Sequence, residues 1–261
     1  MAKRPSSSHE SAKSDARSAV LRQPQAVLIT GASGRIGRAM GLVFAKAGWF
    51  VGVHYHQNKV GSEETLRHIE RAGATGAVFQ ADIRDSQAVQ QMVEAYDRQV
   101  KLPSVFVCNA GIAASRLLVR QCEDEWANII ATNLTGTFHC LQAMAPFLLK
   151  QGGGSIIIIG SHAGFHGSIG QAAYAASKAG LIGLMKTAAL EWGPDNIRVN
   201  LVLPGWQETG LSEGAMPAAG QWQDHALCRP PALEETARTI LHVAQLNDAS
   251  GQVWNCDSRN L

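Results

Sequence analysis

The chain has 261 residues, 46% of them apolar and 17% charged, with a formal net charge of +2. This suits one α/β domain with a large core, while so small a charge gives no electrostatic case for nucleic acid or a membrane surface as partner. No apolar run reaches the roughly 20 residues that span a bilayer, and five scattered cysteines (Cys108, Cys122, Cys140, Cys228, Cys256) lack the spacing of a metal site or a disulfide framework, so reduced thiols in a cytoplasmic protein without a metal are expected.

Residues 1–24, MAKRPSSSHESAKSDARSAVLRQP, are rich in serine, lysine and arginine and contain no apolar stretch of the kind a secretory signal needs. They read as a solvated, flexible tail; Glu10 and Asp15 break the acid-poor composition of an organellar transit peptide. From Gln25 onward, short β-branched runs alternate with longer amphipathic segments. The runs are 26–30, 50–55, 76–80, 104–109, 155–160, 197–203 and 251–255, and the helical patterns 35–47, 62–72, 85–100, 123–150, 172–193 and 233–245. Several runs are almost wholly apolar, as strands buried on both faces must be. The alternation predicts a doubly wound α/β fold, with a parallel sheet and helices on both faces, in a single domain over 25–261. Only 205–231 breaks the rhythm; it is rich in glycine, alanine and proline, carries Trp206 and Trp222, and reads as a substrate loop.

The first strand runs straight into TGASGRIG (30–37) and then a helix. Glycines there let the main chain turn sharply and approach a ligand, and the helix start offers N–H groups to an anion. Gly31, Ser33, Arg35, Ile36 and Gly37 are therefore candidate contacts to a diphosphate. Asp82 and Ile83 follow the third strand, where an acid can meet an adenine amino group, and Asn109, Ala110 and Gly111 close the fourth with small residues. Each could be turn chemistry alone; together, at the ends of successive strands, they mark a ligand crevice. An NAD site usually ends its second strand with an acid for the ribose 2′-OH. Here that strand ends VHYHQNK, whose His54, His56, Asn58 and Lys59 are donors or potential cations, so NADP(H) is expected in preference to NAD(H), against a merely polar strand end.

The stretch AAYAASKAGLIGLMKTAALEWG (172–193) would build a buried helix without help, yet it carries Tyr174 and Lys178 on one face, a turn apart. Either a snorkelling lysine lies beside a core tyrosine, or a cation tunes a phenol. A free tyrosine, with a pKa of about 10, is poorly placed for proton exchange near neutrality; a neighbouring ammonium favours the phenolate and lowers that value.

TGASGRIG, Asn109-Ala110-Gly111, Asn133, Ser161, Tyr174-x-x-x-Lys178 and Pro204-Gly205, in this order and spacing, resemble the short-chain dehydrogenase/reductase family over residues 25 to about 257. The resemblance implies a Rossmann-like fold with a seven-stranded parallel sheet, usually in a homotetramer or homodimer. It implies a nicotinamide cofactor held also by Tyr174, Lys178, Pro204, Gly205 and Thr209, and a small carbonyl substrate. Tyr174 would be the general acid, Lys178 its tuner and a ligand of the nicotinamide ribose. Ser161 would donate a hydrogen bond to the substrate oxygen, and Asn133 would hold a water linking Lys178 to solvent.

Some positions depart from the family pattern. Arg35, with the histidines of the second strand, resembles pteridine reductases, which are NADPH-dependent. Ser161, where those enzymes typically carry aspartate, favours ordinary ketone reduction as in 3-oxoacyl-ACP reductases. Asp257-Ser258-Arg259 stands where the family has a diglycine, in a tail that packs at a subunit interface in many relatives. Phe165, His166 and Trp206 are the candidate pocket wall, suited to a planar ring or a short acyl chain. The expected activity is NADPH-dependent reduction of a 3-oxoacyl thioester or small ketone. The alternatives are reduction of a pterin C=N bond and a non-catalytic NADP-binding regulator.

Overall fold

Strands form where β-branched runs can bury both faces, and the computed structural model, which describes residues 25–100, 104–207 and 222–259, contains seven. They are β1 (Ala26–Ile29), β2 (Phe50–Tyr55), β3 (Gly76–Gln80), β4 (Val105–Cys108), β5 (Gly154–Ile159), β6 (Ile197–Leu203) and β7 (Val253–Asn255). Every neighbouring pair is parallel, in the order β3-β2-β1-β4-β5-β6-β7. The chain winds outward from β1 to β3, then returns to lay β4 against β1, with Ile29 level with both Val53 and Val107. That reversal leaves a crevice beyond the carboxyl ends of β1 and β4. The tail 1–24, Thr209 and most of the predicted substrate loop lie outside the described residues.

The helices between strands are α1 (Arg35–Lys46), α2 (Lys59–Arg71), α3 (Ser86–Val100), α4 (Glu123–Ile130), α5 (Gly136–Gln151), α6 (Ala163–His166), α7 (Ala172–Trp192) and α8 (Leu233–Gln245). Period-two alternation along each strand feeds two cores. Phe106, Ile156, Ile158 and Leu201 pack with Met92 and Tyr96 of α3, Leu141 and Met144 of α5, and Leu181 and Met185 of α7. On the other face Val27, Val107, Ile157 and Val202 pack with Met40 and Phe44 of α1 and with Ile240 and Val243 of α8. None of the described helices is long and apolar enough to cross a membrane.

Two departures from the predicted elements have local causes. Helix α2 starts three residues earlier than the apolar pattern suggests, because Asn58 caps it, its Oδ1 accepting from Gly61 N–H at 2.9 Å. The long pattern 123–150 is broken between α4 and α5 by a π-helical turn, Ala131–Thr135, that carries Asn133. The short α6 escaped notice because four residues hold no periodicity to read.

Ile157 sits at 0% exposure between β4 and β6. Ile157→Ala is expected to cost about 2–5 kcal/mol, and Ile157→Val about 1 kcal/mol. Denaturant unfolding should show both as lowered midpoints with unchanged slopes.

Candidate active site

The crevice is built by tying the ends of β1 and β4 together. The buried Thr30 hydroxyl accepts from the N–H groups of Asn109 (2.9 Å) and Ala110 (3.0 Å) and donates to Val107 O. Asn109 Nδ2 returns bonds to Thr30 O (2.9 Å) and Gly31 O (3.2 Å). Gly31 turns with φ +66°, and a Cβ there would stand 2.9 Å from Ala110 Cα; one on Gly37 would stand 2.5 Å from Gly31 O. No side chain caps α1 at Gly34 and no acid occupies its first turn, so its leading N–H groups and positive dipole end face the crevice.

A cleft of about 570 Å³ follows this turn. Its lining includes Gly31, Ser33, Arg35, Ile36, Gly37, His54, His56, Asn58, Asp82, Ile83, Asn109, Ala110, Gly111, Tyr174, Lys178 and Pro204, all expected to meet a dinucleotide. Gly205 lines the adjoining cleft instead. A dinucleotide fits this cradle: the main chain approaches where side chains are forbidden, and an uncapped helix start awaits a diphosphate. The sequence reading missed Arg84, Asn128 and Thr132 in the same lining. For Arg84 the signal was its place two residues beyond Asp82, still on the loop at the strand end. Among the described residues, no three His, Cys, Asp or Glu side chains converge on a metal position.

His54 is not the donor or cation that the strand end suggested. It is 1% exposed; its Nδ1 accepts from Gly31 N–H at 3.0 Å, so the proton sits on Nε2, which lies 3.1 Å from Ala81 O. Burial brings its pKa from 6.5 down to about 4, against the opposing pull of the Ala81 carbonyl. It is a neutral strut holding the phosphate turn against the end of β3. Asp82 is likewise already engaged. Arg84 grips its carboxylate through Nε (3.0 Å) and Nη2 (2.6 Å), with His56 Nε2 at 3.6 Å, and the Arg84 hydrogen bonds hold its pKa down at about 2.

At the inner end, a second cleft of about 140 Å³ shares Ile36, Gly160, Tyr174 and Pro204 with the first. Tyr174 thus stands at the junction, hydrogen-bonded to Ser161, which also lines the second cleft with Trp206. The Ser161 hydroxyl is a turn cap as well, accepting from Ala163 N–H at 3.2 Å. Lys178, 6% exposed, lies 5.7 Å from the centre of the Tyr174 ring and donates to Ile159 O at 2.7 Å. The sequence suggested that this ammonium lowers the phenol's pKa. In the structure burial outweighs everything else and raises it, the Ser161 bond offsetting only part, and burial brings Lys178 itself down to about 8.

Asn133 sits where the π turn directs it inward. Its Oδ1 accepts from Ile112 N–H (2.8 Å), while Nδ2 donates to Ile112 O (2.9 Å) and Ser177 Oγ (3.0 Å). Ser177 Oγ in turn donates to Tyr174 O at 2.7 Å. The amide is therefore a staple between the loop after β4 and the first turn of α7. Phe165 and His166 depart from expectation more plainly. Both lie exposed on α6, His166 stacked on His162 with ring centres 4.4 Å apart, and neither lines either cleft.

The neutral state of His54 makes stability depend on pH. The unfolded chain takes up the imidazole proton first, so this stabilisation is complete above pH 6.5 and is lost as the pH falls towards about 4. The loss should be on the order of 3 kcal/mol. Urea unfolding across that range should be steeper in pH for the wild type than for His54→Gln; equal slopes would assign the titration to another group.

Comparison with known proteins agrees with this geometry. The short chain dehydrogenase family matches residues 25–219. A 3-oxoacyl-[acyl-carrier-protein] reductase of Staphylococcus aureus is 40% identical over 193 residues, 74% of this chain and 78% of the relative. One from Staphylococcus epidermidis is 41% identical over 182 residues, 70% and 75% of the two chains. One from Synechocystis is 37% identical over 236 residues, 89% and 95%. With seven parallel strands wound about a nucleotide crevice, the chain belongs to the short-chain dehydrogenase family and is an NAD(P)-dependent oxidoreductase.

Proposed function

We propose that this oxidoreductase uses NADPH to reduce the carbonyl of a 3-oxoacyl thioester or a related small ketone, with Tyr174 as the proton donor. The observation that carries this reading is the position of Tyr174, at the junction of the two clefts, beside Ser161 and above Lys178. The relatives named for 3-oxoacyl reduction supply the substrate class. They also favour it over the pterin reading, which has only Arg35, His54 and His56 behind it, His54 being the neutral strut.

The chemistry the nicotinamide supplies when bound is transfer of a hydride to the carbonyl carbon. The chain's own residues do the rest. In the free protein burial keeps the phenol of Tyr174 protonated, the state a donor to a nascent alkoxide requires. Ser161, held by its bond to Ala163 N–H, aims a second donor at the same oxygen, a contribution of about 2.7–4 kcal/mol where such donors are preorganised. Lys178 has donors left beyond Ile159 O to hold the nicotinamide ribose and, when charged, to stabilise a phenolate. Asn133 acts through Ser177 as a positioning residue for the turn that carries Tyr174.

Selectivity for the 2′-phosphate rests on Arg35, His56 and Asn58 in the lining, and on the lack of a carboxylate at the end of β2. Trp126 on α4, Phe138 and Leu149 on α5 and Leu190 on α7 leave apolar surface exposed, which supports assembly with copies of the same chain. Light scattering during gel filtration should give a multiple of 27.9 kDa.

Tyr174→Phe is expected to reduce turnover by at least about a thousandfold while NADPH titrations change less than about twofold. The wild type should prefer NADPH to NADH in kcat/KM by about tenfold or more. A Phe variant of full activity removes Tyr174 from the chemistry; an NADH preference removes the 2′-phosphate assignment.

A further inference from the structure

One wall of the second cleft has no part in the scheme above. Arg259, from the segment after β7, lines the same small space as Ser161, Tyr174 and Trp206. Its guanidinium lies over the Trp206 indole, Cζ 5.9 Å from the ring centre. Nε donates to Asp257 Oδ2 at 2.8 Å and Nη2 to the same oxygen. The backbone is folded around this pair: Arg259 N–H donates to Asp257 Oδ1 at 2.7 Å, and Asn255 Nδ2 to Arg259 O at 2.8 Å. The guanidinium is thereby locked on one edge by a carboxylate and on one face by an aromatic ring.

A latch for the chain end would need no more than the carboxylate edge. The Asp257 side chain is fully buried, whereas Arg259 keeps 13% of its side chain exposed. A guanidinium has five N–H donors in a planar fork; among the described residues, the Nη1 pair meets no acceptor. Trp206 and Asp257 leave the cation with little freedom to swing away, so the entropy of fixing it is already met by the fold. The cleft is small, about 140 Å³. A carbonyl seated at Tyr174 and Ser161 then leaves only a few bonds before the rest of the molecule meets Arg259.

We propose that Arg259 is a specificity-determining residue that receives a carboxylate of the substrate, so that the preferred substrate is a short oxo acid in place of a neutral ketone. The inference rests on the reading of the Tyr174 corner as the reducing centre. The carboxylate is a spectator: NADPH and a proton convert the ketone to the alcohol, and the anion is bound unchanged. A planar fork suits a carboxylate where an ammonium offers only a point charge.

The test compares 3-oxobutanoate with its ethyl ester, following NADPH oxidation by the wild type, Arg259→Lys and the double variant Asp257→Asn with Arg259→Gln. The double variant removes both charges, so no buried carboxylate is left unpaired, and thermal melts establish that each protein is folded. The wild type should favour the acid in kcat/KM by at least about tenfold. Both variants should lose that preference, mainly through KM, with the ester changed less than about twofold. Equal use of acid and ester by the wild type, or parallel losses for both in the variants, makes Arg259 a latch and overturns the proposal. If the wild type reduces neither compound, the carbonyl-reductase reading is what fails for this pair. Calorimetric titration of 3-oxobutanoate then decides Arg259 by itself: heat with the wild type that vanishes in Arg259→Lys upholds the anion site, and no heat with the wild type rejects it.

Discussion

The structure depends on one hydroxyl. Parallel strands on either side of a chain reversal send their loops apart, which is why a crevice opens there, and why the main-chain groups lining it lose their sheet partners. Thr30 supplies what the sheet no longer can. Its Oγ1 takes the N–H groups of Asn109 and Ala110 and passes its own proton to Val107 O. Buried N–H groups left unpaired would each cost about 1–3 kcal/mol, so the floor of the cofactor cleft and the stability of the central strands are the same feature. The Asn109 amide closes the loop from the other side through Thr30 O and Gly31 O.

Around that floor, burial sets the protonation states of His54, Tyr174 and Lys178. It keeps His54 neutral, so one imidazole can accept from the phosphate turn and donate to the end of β3. It raises the Tyr174 phenol and lowers the Lys178 ammonium. In a low-dielectric site a charge is costly until its partner arrives. The proposed donor thus keeps its proton while the neighbouring amine gives up its own more readily, so the two stand further apart in proton affinity than the free side chains do. This is a different physical route from the direct attraction that the spacing of Tyr174 and Lys178 first suggests, and it requires the surrounding core more than the lysine.

The sheet, both cores and most of the cofactor lining were legible in the chain because each rests on local rules: strand alternation, a glycine turn, small residues at strand ends. Failures came where orientation decides. His54 was read as a donor or potential cation although its parity was there to see: Val51 and Val53 face one core, so Gly52 and His54 must face the other way. Phe165 and His166 follow Ser161 closely, but nearness along the chain says nothing about which side of a four-residue helix meets the cleft. Arg84 bonds both to Asp82, two residues before it, and to Asn128, 44 residues on, whose Oδ1 it reaches at 2.9 Å; only the second contact required the fold. Asn133 was legible as an interruption in a helix, whereas its partners Ile112 and Ser177 required the fold.

The two clefts are encoded differently, and this bears on what likeness to known reductases can carry. The first is shaped by backbone geometry near the strand ends, which few residue types satisfy, so family resemblance speaks directly to it. The second is walled in large part by side chains near Ser161, Trp206 and Arg259, with Ile36, Ala113 and Tyr174 completing it. Side chains on such segments can change without disturbing the sheet, because no strand pairing depends on them. The family match ends at residue 219, before the segment that delivers Arg259. Reaction class and substrate are therefore separable here: the proposed chemistry rests on the cradle and Tyr174, and the proposed preference for an oxo acid on a guanidinium fixed between the Trp206 indole and Asp257.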